Sequence, residues 1–389
     1  MSLMKIGVIG AGAMGAGIAQ VAAQNGHDVI LYDTKYAALE RARHGYEKIF
    51  ARLVEKGKWS EEKVKEVTCR IHFENHLDKF EDCGLVIEAI VENLDIKKSV
   101  FGALEDVVSE DCVMASNTSS LSIAAISSAA KNPSRVMGVH FFNPAPLMPL
   151  VEIIPSLTTS NKKAEEIRAL IDSWGKVTVL AKDTPGFIVN RVASPFYSEA
   201  IKLYEEGVAN IPTIDWALKT IGGFRMGPFE LTDLIGHDVN YVVTETVWSQ
   251  FFYDPRFKPS ITQKRLLEAG LYGRKSKRGF YDYSEGANNP AATEDETLGN
   301  FIVDRILAML INEAADAVFL NIASIKDIDL AMTKGVNYPK GLLAWADEIG
   351  ISTIVKRLNT LYEEYGDDRY RACPLLKRMA KTGSTFYGD

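Results

Sequence analysis

Lys5-Ile6-Gly7-Val8-Ile9 runs straight into Gly10-Ala11-Gly12-Ala13-Met14-Gly15, and the reading of this stretch decides the fold. The first five residues predict a buried strand, and the Ala, Ile and Val spacing of Ala13 to Gln24 predicts a helix with an apolar face. A second strand is expected over Asp28-Val29-Ile30-Leu31-Tyr32, ending in Asp33, 18 residues beyond Gly15. Glycine-rich hexads arise by chance, but strand, turn, helix and a later acid at this interval form a dinucleotide fingerprint. Gly10 makes the tight turn, Gly12 lets a pyrophosphate approach the backbone, and Gly15 lets the helix pack on the strand, with the helix N-terminus facing the phosphates. Asp33 would accept hydrogen bonds from the adenosine ribose and repel a 2′-phosphate, which favours NAD over NADP.

Outward from this unit, a long helix is expected from Tyr36 to about Glu55, then a second one opened by Ser60-Glu61-Glu62, whose serine suits an N-cap. Such a helical hairpin is longer than a crossover needs, and its basic residues Lys48, Arg52, Lys56 and Lys58 suit either a ligand phosphate or plain solvent. Strands resume at Leu85 to Ala89, Cys112 to Ser116 and Arg135 to Val139, with helices near Lys97 to Val107 and Ile123 to Ala130, the alternation of a doubly wound sheet. Two of these strands end in polar clusters, Ser116-Asn117-Thr118-Ser119-Ser120 and His140-Phe141-Phe142-Asn143-Pro144, where open parallel sheets place ligands. Leu150 to Ile154, Lys162 to Trp174 and Lys176 to Leu180 read as strand, helix and strand. From Phe187 onward the pattern is almost wholly helical.

The helical part repeats itself. Phe187-Ile188-Val189-Asn190-Arg191 matches Phe301-Ile302-Val303-Asp304-Arg305, and the same offset of 114 aligns Ile214-Asp215 with Ile328-Asp329, Gly227 with Gly341 and Asp233 with Asp347. A constant offset at Gly and Asp positions signals duplication, not chance similarity of amphipathic helices. The expected organisation is therefore an α/β Rossmann-type domain over residues 1–183, a first all-α domain over 184–285, a polar linker, and a tandem second copy over 297–389.

Composition narrows the partners. Across 389 residues the net charge is −7 with scattered cations, so nucleic acid is an unsuitable partner and a small molecule a suitable one. No apolar run is long enough to span a bilayer and no signal-peptide pattern is present, which points to the cytoplasm. Cys69, Cys83, Cys112 and Cys373 lack paired or ligand spacing, so free thiols and no metal are expected. Met1-Ser2-Leu3 ahead of Met4 reads as an added extension.

A hydride-transfer site acting on a secondary alcohol needs a base with a pKa near neutrality, which histidine supplies. Of six histidines, only His140 falls at the C-terminal end of an expected core strand; His44, His72 and His76 fall in the hairpin or its exit. Glu152, inside the apolar run Leu150-Val151-Glu152-Ile153-Ile154, needs a partner there and is the natural carboxylate to orient an imidazole.

With Ser116-Asn117-Thr118-Ser119-Ser120-Leu121, His140-Phe141-Phe142-Asn143-Pro144, Val151-Glu152, Asp183-Thr184-Pro185-Gly186-Phe187-Ile188-Val189-Asn190-Arg191 and Gly273-Arg274-Lys275 with Arg278-Gly279-Phe280-Tyr281, the sequence resembles the (S)-3-hydroxyacyl-CoA dehydrogenases. The tandem copy is similar to that of the fused fatty-acid-oxidation proteins. The resemblance implies NAD-dependent, reversible oxidation of a short-chain substrate such as 3-hydroxybutyryl-CoA. His140 would be the base, Glu152 its orienting partner, and Ser119 and Asn190 the groups holding the substrate's reacting oxygens. It also implies NAD contacts from Gly10, Gly12, Ala13, Met14, Gly15, Asp33, Glu92, Lys97, Asn117 and Asn143, and a contact between Lys56 and the CoA phosphates. Lys277 stands where the family has glycine, and Asp304 where the first copy has Asn190, so the second copy is expected to be non-catalytic. Monomer and homodimer both stay open, as do a fused or partner enoyl-CoA hydratase and the choice between a complete chain and a fragment. The competing readings are a dehydrogenase of a free 3-hydroxy acid or sugar acid, and a non-catalytic protein that binds NAD or acyl-CoA.

Overall fold

A computed structural model describes residues 4–388, so Met1-Ser2-Leu3 lie outside the described residues. The chain forms two compact units, one up to Thr184 and one from Pro185 onward.

The first unit carries one eight-stranded sheet. Its strands are β1 (Lys5–Ile9), β2 (Val29–Tyr32), β3 (Ile71–Glu74), β4 (Cys83–Glu88), β5 (Val113–Ser116), β6 (Val136–Phe141), β7 (Leu150–Pro155) and β8 (Val177–Leu180), in spatial order β3-β2-β1-β4-β5-β6-β7-β8. Order reverses beside β1, which places a ligand crevice at the C-terminal ends of β1 and β4. The near-continuous apolar runs of β1, β4 and β6 are those of strands covered on both faces. The helices are α1 (Ala13–Gln24), α2 (Tyr36–Glu55), α3 (Glu61–Cys69), α4 (Leu94–Glu105), α5 (Ile123–Ser127) and α6 (Asn161–Ser173). The α2–α3 hairpin is tied down at Tyr46, whose hydroxyl donates to Ala16 O at 2.6 Å, while Ser60 caps α3 by accepting from Lys63 N.

Three features depart from the sequence reading. Ile71–Glu74 is a strand pairing with β2, so His72 lies in the sheet and not at a hairpin exit. The sheet is mixed, because β7 runs antiparallel to β6 while all other neighbours are parallel. Both helical copies also fold together as one compact unit.

That second unit contains α7 (Val189–Val192), α8 (Ser194–Glu205), α9 (Ile211–Trp216), α10 (Pro228–Ile235), α11 (His237–Gln250) and α12 (Ile261–Glu268), then α13 (Glu296–Phe319), α14 (Ile325–Gly335), α15 (Leu342–Ile349), α16 (Ile351–Tyr365) and α17 (Pro374–Thr382). The copies use the same fastenings. Asp215 accepts from Phe229 N, Glu230 N and Tyr281 Oη, and Asp329 accepts from Leu343 N, Ala344 N and Tyr387 Oη. Gly227 and Gly341 are needed beside these aspartates, since a Cβ at either would lie 2.3 Å from the carboxylate. Pro195, where the second copy has Met309, explains one difference: α7 and α8 are broken apart, while α13 runs through unbroken. Lys277 occupies a left-handed turn at φ 60°, the conformation for which glycine is suited.

Candidate active site

The glycine turn is built as the fingerprint requires. Gly10 has φ +103° and a Cβ there would sit 2.6 Å from Ala89 O; a Cβ on Gly15 would sit 1.8 Å from Gly10 O. At Gly12 a Cβ would meet nothing within 4 Å, so this position faces open space, at the start of a helix with no side-chain cap. The first-turn amides of Ala13 and Met14 therefore suit an anion. Asp33, at the end of β2, accepts from Ala11 N and Lys35 N at 2.9 Å each, which fixes its carboxylate beside the turn. These groups fit the pyrophosphate and ribose of a dinucleotide.

At the end of β6, His140 faces Glu152 of β7 in cross-strand register, and Nδ1 lies 2.7 Å from Glu152 Oε2. His140 is 6% exposed and Glu152 1%. The antiparallel turn-back from β6 to β7 is what brings together two residues twelve apart in sequence. With the carboxylate accepting from Nδ1–H, the imidazole lone pair sits on Nε2, where a base is needed. Asn117 braces this strand end: its Oδ1 accepts from Phe141 N at 2.7 Å. Asn143 follows in an exposed turn, two residues after β6.

Next to it a buried network ties the β4 end to the Ser119 loop. Glu88, fully buried, accepts from Lys97 Nζ at 2.6 Å, Ile90 N at 2.7 Å and Ser116 Oγ at 2.7 Å. Lys97 also pairs with Glu92 at 3.2 Å. Glu92 Oε1 in turn accepts from Thr118 Oγ1, Ser119 N and Ser120 Oγ. Burial works to raise the Glu92 pKa, but the Lys97 ammonium, with Thr118 and Ser119 as donors, holds the carboxyl below its ordinary range. Lys97, a cofactor contact by the resemblance, is 0% exposed and paired with both carboxylates. Sequence reasoning passed over Glu88 as a site residue, although a carboxylate closing the run Leu85-Val86-Ile87 carries the same signal as Glu152.

In the second unit Asn190 lies on α7, a helix of four residues, followed by the buried Arg191. Its counterpart Asp304 is inside α13 and pairs with Arg357 Nη2 at 2.7 Å, so the second copy presents an engaged carboxylate there in place of an amide. Lys56 sits exposed just past the end of α2. It lies outside the cleft of about 1010 Å³ between α2, α3 and β3, whose lining sets Glu47, Glu55, Glu61 and Glu74 against Arg43 and Lys65. That balance does not favour phosphate. Among the described residues no cluster of three His, Cys, Asp or Glu side chains has metal-ligand geometry, no helix is long and apolar enough to cross a membrane, and all four cysteines are free.

Residues 5–184 match the family model described as "3-hydroxyacyl-CoA dehydrogenase, NAD binding domain", and residues 186–283 and again 301–386 match the "3-hydroxyacyl-CoA dehydrogenase, C-terminal domain". The chain belongs to the 3-hydroxyacyl-CoA dehydrogenase family. It is an NAD-dependent enzyme with a tandem helical region. It is similar to the 3-hydroxyadipyl-CoA dehydrogenase of Escherichia coli (strain K12), 38% identical over 98% of both chains. A probable 3-hydroxybutyryl-CoA dehydrogenase of Deinococcus radiodurans is 44% identical over 72% of this chain and 100% of its own. Among solved structures, the 3-hydroxybutyryl-CoA dehydrogenase of Escherichia coli K12 superposes with a TM-score of 0.93 at 36% identity, covering 98% of this chain and 99% of that one.

Proposed function

We propose that the chain catalyses the reversible oxidation of a short-chain (S)-3-hydroxyacyl-CoA to the 3-ketoacyl-CoA, with His140 as the base. The observation that carries this is the buried His140–Glu152 pair at the end of a strand in the same sheet as the dinucleotide turn. His140 Nε2 removes the proton of the 3-hydroxyl, and the imidazolium so formed is stabilised through Nδ1–H by Glu152. Ser119 and Asn190 hydrogen-bond the reacting oxygens and fix C3 for transfer. The bound nicotinamide supplies the hydride acceptor. Gly10, Gly12, Ala13, Met14 and Gly15 hold the pyrophosphate, Asp33 the adenosine ribose, and Glu92, Asn117 and Asn143 border the cofactor. In the reverse direction His140 starts protonated and returns the proton to the ketone oxygen.

Lys56 meets the CoA phosphates at the hairpin tip, the protein works in the cytoplasm, and the second copy is non-catalytic. Pairing of the two copies within one chain supports a monomer, and an enoyl-CoA hydratase is the natural supplier of the 3-hydroxyacyl substrate. A second reading of the acyl group has its own support. One relative that matches 98% of the chain is named for 3-hydroxyadipyl-CoA, a substrate ending in a carboxylate, while a solved structure of equal coverage is named for 3-hydroxybutyryl-CoA. Rates with acetoacetyl-CoA, 3-oxoadipyl-CoA and free acetoacetate, each with NADH and NADPH, test these assignments. Turnover of a CoA ester with NADH is expected. Turnover of free acetoacetate alone would overturn the thioester assignment, and a large preference for 3-oxoadipyl-CoA would replace the butyryl reading.

A further inference from the structure

Two arginines at matched positions exchange carboxylates between the helical copies. Arg191 of the first copy donates through Nε to Glu313 Oε1 at 2.6 Å and through Nη2 to Asp316 Oδ2 at 2.8 Å. Arg305 of the second copy donates through Nε to Glu199 Oε1, also at 2.6 Å. Glu199 and Glu313 are themselves matched by the 114-residue offset, so the exchange is reciprocal. The side chains of Arg191, Glu313, Arg305 and Glu199 are each 3% exposed or less. Arg256 braces the first pair, reaching Asp316 at 2.8 Å and Glu313 at 3.2 Å. Tyr370, at the position matching Arg256, braces the second by donating to Glu199 at 2.8 Å.

The chemistry around the two arginines is not equivalent. Arg191 directly follows Asn190 on a helix of four residues, too short to hold its own conformation. Its backbone is held by bonds from Arg191 N to Gly186 O at 3.2 Å, Val192 N to Ile188 O at 2.8 Å and Ala193 N to Val189 O at 2.9 Å, and the Arg191 guanidinium, which lies 5.0 Å from the Phe251 ring and is gripped by two carboxylates of the second copy, ties the turn to that copy. Arg305 follows Asp304 inside the long helix α13, where the helix itself maintains the backbone.

We propose that Glu313 and Asp316 are positioning residues for Asn190, so that the second helical copy serves the reaction of the first through Arg191. This inference rests on Asn190 holding a reacting oxygen of the substrate. It gives the tandem copy a kinetic role although its own Asp304 is engaged by Arg357. Removing either carboxylate leaves a buried guanidinium under-compensated, and α7 shifts to relieve it.

The mirror pair supplies the control. In acetoacetyl-CoA reduction by the full chain, Glu313→Gln is expected to lower kcat about tenfold to a hundredfold, the scale of misplacing a substrate-holding group by about 1 Å, with the KM for NADH unchanged. Glu199→Gln removes a buried negative charge paired with an arginine at the same 2.6 Å, so its melting temperature falls comparably while kcat stays near wild type. The double variant Asn190→Ala/Glu313→Gln is expected to be no slower than Asn190→Ala alone, because both act through one amide. Asp316→Asn, at a less buried carboxylate, gives the same pattern in milder form and decides the matter if Glu313→Gln does not fold. Equal kcat losses in Glu313→Gln and Glu199→Gln, or additive losses in the double variant, overturn the inference while leaving the role of Asn190 intact. Full activity of Asn190→Ala overturns the substrate-holding reading and the inference with it.

Discussion

Glu152→Gln removes one negative charge from the site and changes little else. The carboxylate is 1% exposed and its Oε2 lies 2.7 Å from His140 Nδ1; an amide of the same shape can still accept from Nδ1–H. What is lost is the stabilisation of an imidazolium. With charge centres about 4 Å apart and an effective dielectric of about 20, the Coulomb attraction is about 4 kcal/mol. The neutral hydrogen bond that remains recovers about 1 kcal/mol. The net loss of about 3 kcal/mol corresponds to about two decades in kcat. Initial rates of acetoacetyl-CoA reduction, with melting curves on the same samples, separate lost catalysis from lost folded protein. A variant that keeps the wild-type rate, or loses activity only in proportion to lost folded protein, would refute the role assigned to Glu152.

Other predictions follow from the same geometry. Gly12→Ala should fold as wild type, since its Cβ meets nothing within 4 Å, yet bind NADH more weakly by about 1–3 kcal/mol; Gly15→Ala, with a Cβ 1.8 Å from Gly10 O, should lose melting temperature instead. Calorimetry of NADH binding and thermal melts separate the two. Glu92→Gln should be less stable than wild type at neutral pH. The Glu92 pKa is lowered in the folded state, so its contribution is present above the ordinary carboxylate pKa and is lost as pH falls through the lowered value. Denaturant titrations at successive pH values should show the gap between variant and wild type closing toward acid. Lys277→Gly should raise stability by about 0.5–1 kcal/mol, as relief of left-handed strain outweighs the flexibility glycine adds to the unfolded chain.

Much of the fold is legible because its signals are local. The expected helix from Tyr36 to Glu55 and the Ser60 cap coincide with the structure, because helical periodicity and N-cap chemistry are encoded over a few residues. Ile71–Glu74 escapes because four residues with polar alternation are too short to establish a period. The direction of β7 escapes for another reason: an apolar run encodes burial but not orientation, and only the antiparallel return sets Glu152 opposite His140. For His140 and Glu152 the residue type was itself the signal, a charged group inside an apolar context that demands a partner. The same rule, applied to Glu88, points to its internal partner Lys97. The duplication is visible as an offset in the sequence, whereas the exchange of Glu199 and Glu313 between copies depends on how two helices meet, which no local pattern specifies.

The most direct test of the central claim compares wild type with His140→Gln in NADH oxidation by acetoacetyl-CoA, with NADH affinity measured on the same preparations. The expected result is rapid turnover by wild type and a loss of about a hundredfold to ten-thousandfold in the variant, at nearly unchanged NADH affinity. Comparable turnover by the two proteins would contradict the assignment of His140 as the group that moves the proton.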